Sequence, residues 1–136
     1  MNINDVVKQS TQQDKLEVIF ERQRELHEKY VEIEKAKGIL VSKDPVNLHT
    51  CHGQQIIKDF MWRITEELGE AANCLKNKPW KTTEILTDEY HFKEELMDAL
   101  HFFIELLILT GFDANSVFDL YFRKSEVNKF RQRSKY

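Results

Sequence analysis

Four carboxylates in two matched pairs are the residues of this chain best placed to do chemistry. Glu67 and Glu70 stand three apart, and so do Glu95 and Asp98. Positions three apart share one face of a helix, so each pair projects two carboxylates the same way. Two such helices facing each other would bring four like charges together, which is costly unless a cation neutralises them. Oxygen donors without thiolates suit Mg²⁺ or Mn²⁺. A metal held this way neutralises phosphate oxygens and lowers the pKa of a water, while Lys and Arg carry the remaining phosphate charge. The pattern therefore points to metal-dependent phosphate chemistry. A lone Glu-x-x-Glu is common on solvated helix faces; here the motif recurs on successive helices, each time beside an apolar stripe.

Hydrophobic spacing predicts the elements that must hold these groups. From Asp14, the residues Leu16, Ile19, Phe20, Gln23, Leu26, His27, Tyr30 and Ile33 share one helical stripe, with Glu17, Glu21, Arg24, Glu28, Lys29 and Glu32 opposite. Gln23 and His27 interrupt that stripe. Before it, residues 1–13 are polar and carry a weak helix-start signal at Ser10-Thr11. Gly38 stops the first helix and Ser42-Lys43-Asp44-Pro45 forms a turn. A second helix starts between Asn47 and Gly53 and runs to about Leu75, with Ile56, Ile57, Phe60, Met61, Ile64, Leu68, Ala71, Ala72 and Leu75 on its apolar face. His49 and His52 read as helix-entry residues. One long connection, residues 77–91, carries Lys78, Pro79, Trp80 and Lys81; an exposed Trp among lysines hints at stacking or phosphate contact. A third helix spans about Phe92 to Thr110, offering Leu96, Ala99, Leu100, Phe103, Leu106, Leu107 and Leu109 to the core. Gly111 caps it and Asp113 opens a fourth. The end of the chain from Arg123 is strongly basic, and Val127 and Phe130 suggest that it docks.

Composition narrows the class. The 136 residues fit one domain, 41% hydrophobic and 32% charged, with only four Gly and two Pro. That describes an all-α fold of four to five helices. A formal charge of -3 gives no general attraction to nucleic acid, so phosphate binding must be local or metal-borne. Cys51 and Cys74 lack a Cys-x-x-Cys spacing and read as reduced thiols. The first residues do not resemble a signal peptide and the apolar run near Leu106 is too short to span a bilayer, so a cytoplasmic protein without membrane partners is expected.

The same residues resemble a known family, the all-α NTP pyrophosphatases, which contains the dimeric dUTPases, the MazG-type enzymes and the phage dCTP/dUTP pyrophosphatases. Their shared signature, Glu-x-x-Glu followed one loop later by Glu-x-x-Asp, reads here Glu67-Leu68-Gly69-Glu70 and Glu95-Leu96-Met97-Asp98. Asp98-Ala99-Leu100-His101-Phe102-Phe103 is similar to the Asp-x-x-His-Phe element of the dimeric dUTPases. Tyr121-Phe122-Arg123-Lys124, with Asn128, Arg131-Gln132 and Tyr136, resembles their C-terminal motif. Lys78-Pro79-Trp80-Lys81 has a Trp-containing counterpart, and Gln23-Arg24-Glu25-Leu26-His27 falls where they carry a base-recognition motif. The resemblance runs from about Gln12 to Tyr136.

What it implies is Mg²⁺-dependent hydrolysis of a pyrimidine deoxynucleoside triphosphate, dUTP with dCTP as an option, in a homodimer. Glu67, Glu70, Glu95 and Asp98 would hold the metal, and Glu66 would orient the attacking water. Lys124, Asn128 and Arg131 would hold phosphate oxygens, with Tyr136 closing over them. Gln23, His101 and Phe102 would meet base and sugar, with His27 beside them, while Trp80 and Lys81 cover the nucleotide. His27 stands where dimeric dUTPases usually carry Asn, and Ser125 where many carry Asn after the Lys, so the choice between uracil and cytosine stays open. The rival readings are a MazG-like enzyme of broader base choice, a non-catalytic helical interaction module and a ferritin-like di-iron bundle. The last wants Glu-x-x-His on two helices and finds one approximation, Asp98 to His101.

Overall fold

A computed structural model describes residues 2–10, 13–39 and 44–134. Every regular element among them is a helix: α1 (Ile3–Ser10), α2 (Lys15–Ala36), α3 (Cys51–Asn73), α4 (Glu89–Leu109) and α5 (Ala114–Arg133). The all-α fold and the helix number agree with the sequence expectation. Residues Met1–Val41 with Gly111–Tyr136 form one compact unit, and Ser42–Thr110 form the other.

Each long helix begins on a short polar side chain that satisfies a backbone N–H left over at the helix start. Asp14 accepts from Glu17 N, Thr50 from Gly53 N, and Asp88 from His91 N. Asp113 and Ser116 exchange hydrogen bonds in a capping box. Gly38 and Gly111 follow the ends of α2 and α4 with φ of 75° and 92°, a region that side-chain-bearing residues avoid. At the first of these, Ile39 N reaches Glu34 O at 2.9 Å and Gly38 N reaches Lys35 O at 3.0 Å, which closes the helix end.

The N-terminal segment differs from expectation. Ser10 ends α1 instead of opening a helix, and Asp14 is the cap that starts the next one. The short α1 has Ile3 and Val7 exposed, so it lacks the buried stripe on which the sequence reading depended.

In the second unit, α3 and α4 run antiparallel and pack along each other. Ile57 of α3 meets Leu106 and Leu109 of α4 in the core, with Val46 buried beside them and Ile56, Phe60 and Ile64 packed against the cluster. The turn before α3 is tied in by a 2.8 Å hydrogen bond from Val46 N to Leu109 O. Gly53 is buried at the start of α3 because any Cβ there would overlap the carbonyl of Asn47. Met61 and Leu68 of α3, and Leu100 and Phe103 of α4, are exposed rather than in the core, and Leu75, expected to end the helix, lies exposed two residues past its last residue.

In the first unit, Phe20, Gln23 and His27 are the buried residues of α2. The basic C-terminal stretch is helical to Arg133, and Val127 and Phe130 on it are both exposed.

Candidate functional site

The antiparallel α3–α4 pair brings the end of α3 against the start of α4, and that is where the acidic motifs meet. Glu67, Glu95 and Asp98 each offer an oxygen, and these atoms lie within 4.8 Å of one another. Glu70 joins through side-chain contacts to Glu95 and Glu67. The four carboxylates singled out by spacing therefore converge.

Burial within the cluster is graded. Glu95 is buried, Glu67 is partly buried, and Glu70 and Asp98 are exposed. Contacts among carboxylates are hydrogen bonds only when one partner is protonated. Burial, the shared contact with Glu95 and the charges of Glu70, Asp98 and Glu95 push the Glu67 pKa up from 4.5 to about 7. Glu70 is raised as well, chiefly by its contact with Glu95 and the charge there. Glu95 Oε2 is buried and accepts no hydrogen bond. A buried carboxylate oxygen with no donor, beside acids that resist ionising together, fits a hard divalent cation. The donor set is all oxygen, which suits Mg²⁺ or Mn²⁺ and not a thiophilic metal.

His91 was not anticipated from the sequence. Its Nε2 stands 3.5 Å from Glu95 Oε1, one helical turn before it. The signal was present as His91-x-x-x-Glu95, a spacing that puts two side chains on one face. Beside the cluster lies a cleft of about 510 Å³ whose lining includes Glu70, Cys74, Lys76, Ile85, His91 and Glu95.

The other expected site residues of this unit surround the cluster in different states. Glu66 is exposed and lies about 100° round α3 from Glu67. His101 is exposed, and its Nδ1 lies 2.8 Å from the Met97 carbonyl. A carbonyl only accepts, so Nδ1 carries the hydrogen and Nε2 of the neutral ring is left as an acceptor. Phe102 is partly buried against Phe60, ring centroids 6.4 Å apart, with the Arg63 guanidinium 4.5 Å from the centre of the Phe60 ring. Trp80 is 75% exposed at the tip of the α3–α4 loop, with Lys78 Nζ 5.4 Å from its ring centre, and Lys81 is exposed next to it.

The remaining candidates belong to the first unit. Gln23 and His27 are buried four residues apart on α2. Lys124 and Asn128 line one groove on α5 with Tyr121, Ser125 and Gln132. Arg131 is exposed on the same helix. Tyr136 lies outside the described residues.

A family model described as dUTPase matches residues 15–110, about seven-tenths of the chain. The matched stretch holds α2, α3 and α4, and with them both acidic motifs, Gln23, His27, Trp80, His101 and Phe102. It stops before α5, so Lys124, Asn128 and Arg131 lie beyond it. No curated protein and no solved structure gives a significant match to the chain. No helix among the described residues is long and apolar enough to cross a membrane.

Proposed function

The chain belongs to the dUTPase family, whose all-α members carry out dUTP diphosphatase-type nucleotide hydrolysis, and from that premise we propose a specific reaction and a set of roles. The protein hydrolyses dUTP, and dCTP as a second pyrimidine substrate, with water to the monophosphate and pyrophosphate. The observation that carries the reading is the convergence of Glu67, Glu95 and Asp98, together with a buried Oε2 on Glu95 that accepts no hydrogen bond.

In this reading Glu67, Glu70, Glu95 and Asp98 hold Mg²⁺, with Mn²⁺ able to replace it. When bound, the metal supplies charge neutralisation for the phosphate oxygens and makes a nucleophile available near neutral pH. Without a cation, Glu67 holds a proton near neutrality, so the site is primed to exchange that proton for metal charge. Glu66 orients the attacking water from the adjoining side of α3. His91, with its Nε2 3.5 Å from Glu95 Oε1, would help orient the Glu95 carboxylate towards the metal.

Gln23 and His27 read the base, and His101 offers Nε2 as an acceptor towards the nucleoside. Phe102, braced by Phe60, presents the rest of its ring to sugar or base. Trp80 and Lys81 cover the nucleotide, and Lys124, Asn128 and Arg131, with Tyr136, hold phosphate oxygens. The enzyme acts as a cytoplasmic homodimer. Met61 and Leu68, seven residues apart along α3 and about half exposed, form the kind of apolar patch that a second copy would cover.

The deciding experiment measures pyrophosphate release from each dNTP with and without Mg²⁺. Release from dUTP, weaker release from dCTP and none in chelator are expected. Comparable turnover of purine nucleotides would favour the broader MazG-like enzyme. No release from any nucleotide would leave a helical interaction module.

A further inference from the structure

Resting on that reading, the geometry points to Asn77 as a positioning residue, whose carboxamide clips the α3–α4 loop shut and holds Trp80 and Lys81 as a preformed cover for the nucleotide. Asn77 is not among the residues that the acidic motifs single out. Its Oδ1 accepts from Ile85 N at 2.6 Å and its Nδ2 donates to Ile85 O at 2.8 Å. One side chain thus satisfies both backbone groups of a residue eight positions on, as a neighbouring β-strand would. Among short side chains only a carboxamide can do this, since it carries a donor and an acceptor side by side.

Between the two ends of the clip lie residues 78–84, which have no helix or strand of their own. The tip is a tight turn in which Lys81 N donates to Lys78 O at 3.1 Å. Pro79 occupies the second position of that turn, where its fixed φ is favoured. Trp80 follows it, three-quarters exposed, so its ring adds almost nothing to a core. A large aromatic ring held in water by a turn at one end and a clip at the other has a surface available to a planar ligand. The base of the same loop reaches the acidic cluster: Lys76, adjacent to Asn77, and Ile85 both line the cleft that also contains Glu70 and Glu95.

Ordering a free loop around a ligand costs conformational entropy, which is subtracted from affinity. A loop already tied at its base bears much of that cost before the ligand arrives. Asn77 should therefore act on nucleotide affinity and on the mobility of Trp80, and not on the chemical step or on the metal.

The test uses the full chain with Trp62→Phe, which leaves Trp80 as its only tryptophan, and compares Asn77→Ala and Asn77→Asp in that background. Three quantities are read: the fluorescence anisotropy decay of Trp80, the dUTP kinetics, and Mn²⁺ binding without nucleotide. In Asn77→Ala, Trp80 should gain a fast local motion and KM for dUTP should rise about 10-fold, the scale of losing two modest hydrogen bonds. Its kcat and Mn²⁺ affinity should stay at the parent's values. Asn77→Asp keeps the acceptor for Ile85 N and loses the donor, so it should fall between, and it serves as the measured variant if Asn77→Ala does not fold. Parental anisotropy decay and KM in Asn77→Ala would overturn the clip. A drop in kcat together with weaker Mn²⁺ binding would overturn it too, by placing Asn77 on the acidic cluster. A parent that hydrolyses no nucleotide sinks the functional reading instead, and the anisotropy arm then decides the clip alone.

Discussion

The α3–α4 pair is built on opposite principles at its two ends. Where α3 begins and α4 finishes, Ile57, Leu106 and Leu109 close a core with Val46. Where α3 finishes and α4 begins, Glu67, Glu70, Glu95 and Asp98 crowd together, one of them buried with an oxygen that no donor reaches. The first end is favourable on folding because it removes apolar surface from water. The second is unfavourable because it brings like charges into a partly desolvated place. The same two helices carry both, so the apolar end holds the register that forces the acids together. On the proposed function, stability and activity thus draw on opposite ends of the pair, and substitutions at the two ends should differ in sign.

The largest effect should come from the acidic end. Glu95→Gln keeps the shape of the side chain and removes its charge. Pyrophosphate release should fall by roughly 1,000-fold, since a metal ligand and not a peripheral contact is lost. In metal-free buffer the same variant should melt at a higher temperature than the parent, because one of the mutually repelling acids is gone. A variant that is less active and also less stable without metal would mean that Glu95 belongs to the scaffold.

Ile57→Ala should behave in the opposite way. It leaves a cavity in the apolar cluster and should cost about 3 kcal/mol of unfolding free energy, measured by denaturant titration. Activity per folded molecule should be retained at low temperature. Gly53→Ala comes next, at about 1–3 kcal/mol, because the new methyl group would meet the Asn47 carbonyl and the turn before α3 must shift. If either substitution abolished Mn²⁺ binding in the folded protein, the two ends would not be separable.

How legible this arrangement was from the sequence follows the same division. The helices announced themselves because Leu, Ile and Phe recur at helical spacing and because Asp14, Gly38, Gly111 and Asp113 punctuate them. The convergence of the four carboxylates was readable from two three-residue spacings on helices joined by one loop. The grading of burial was not, since nothing local distinguishes Glu95 from Glu94; it depends on which face of α4 meets α3. Glu105, 2% exposed within the apolar run Ile104-Glu105-Leu106, escaped for the same reason. Leu68, Leu100 and Phe103 were assigned to the core by period alone, yet they are exposed, because a helix in a pair buries a narrower stripe than its apolar face offers. The Asn77 clip was invisible because its partner is backbone, which carries no sequence identity.

The smallest effect, and the one that separates the two ends most cleanly, is in the pH dependence of the metal-free protein. Glu67 has its pKa raised to about 7 by burial first, then by its contact with Glu95 and by the charges of Glu70, Asp98 and Glu95. Glu70 shifts in the same direction. In the unfolded chain these carboxyls ionise near 4.5, so between pH 4.5 and 7 the folded protein binds more protons than the unfolded one. The slope of stability against pH is then negative: the contribution is fully present below pH 4.5 and is lost as the pH rises towards 7. Melting temperatures in chelator should fall across that window. With saturating Mg²⁺ the fall should disappear, because a cation that requires ionised ligands binds better as the acids lose their protons. The Ile57→Ala variant should show the parent's slope displaced to lower temperature, whereas Glu67→Gln should reduce it, since the group raised to about 7 is gone and only the shift of Glu70 is left. A metal-free melting temperature that instead climbed from pH 4.5 to 7 would show that the acidic end is already neutralised by the protein itself, leaving the cluster no need of a cation.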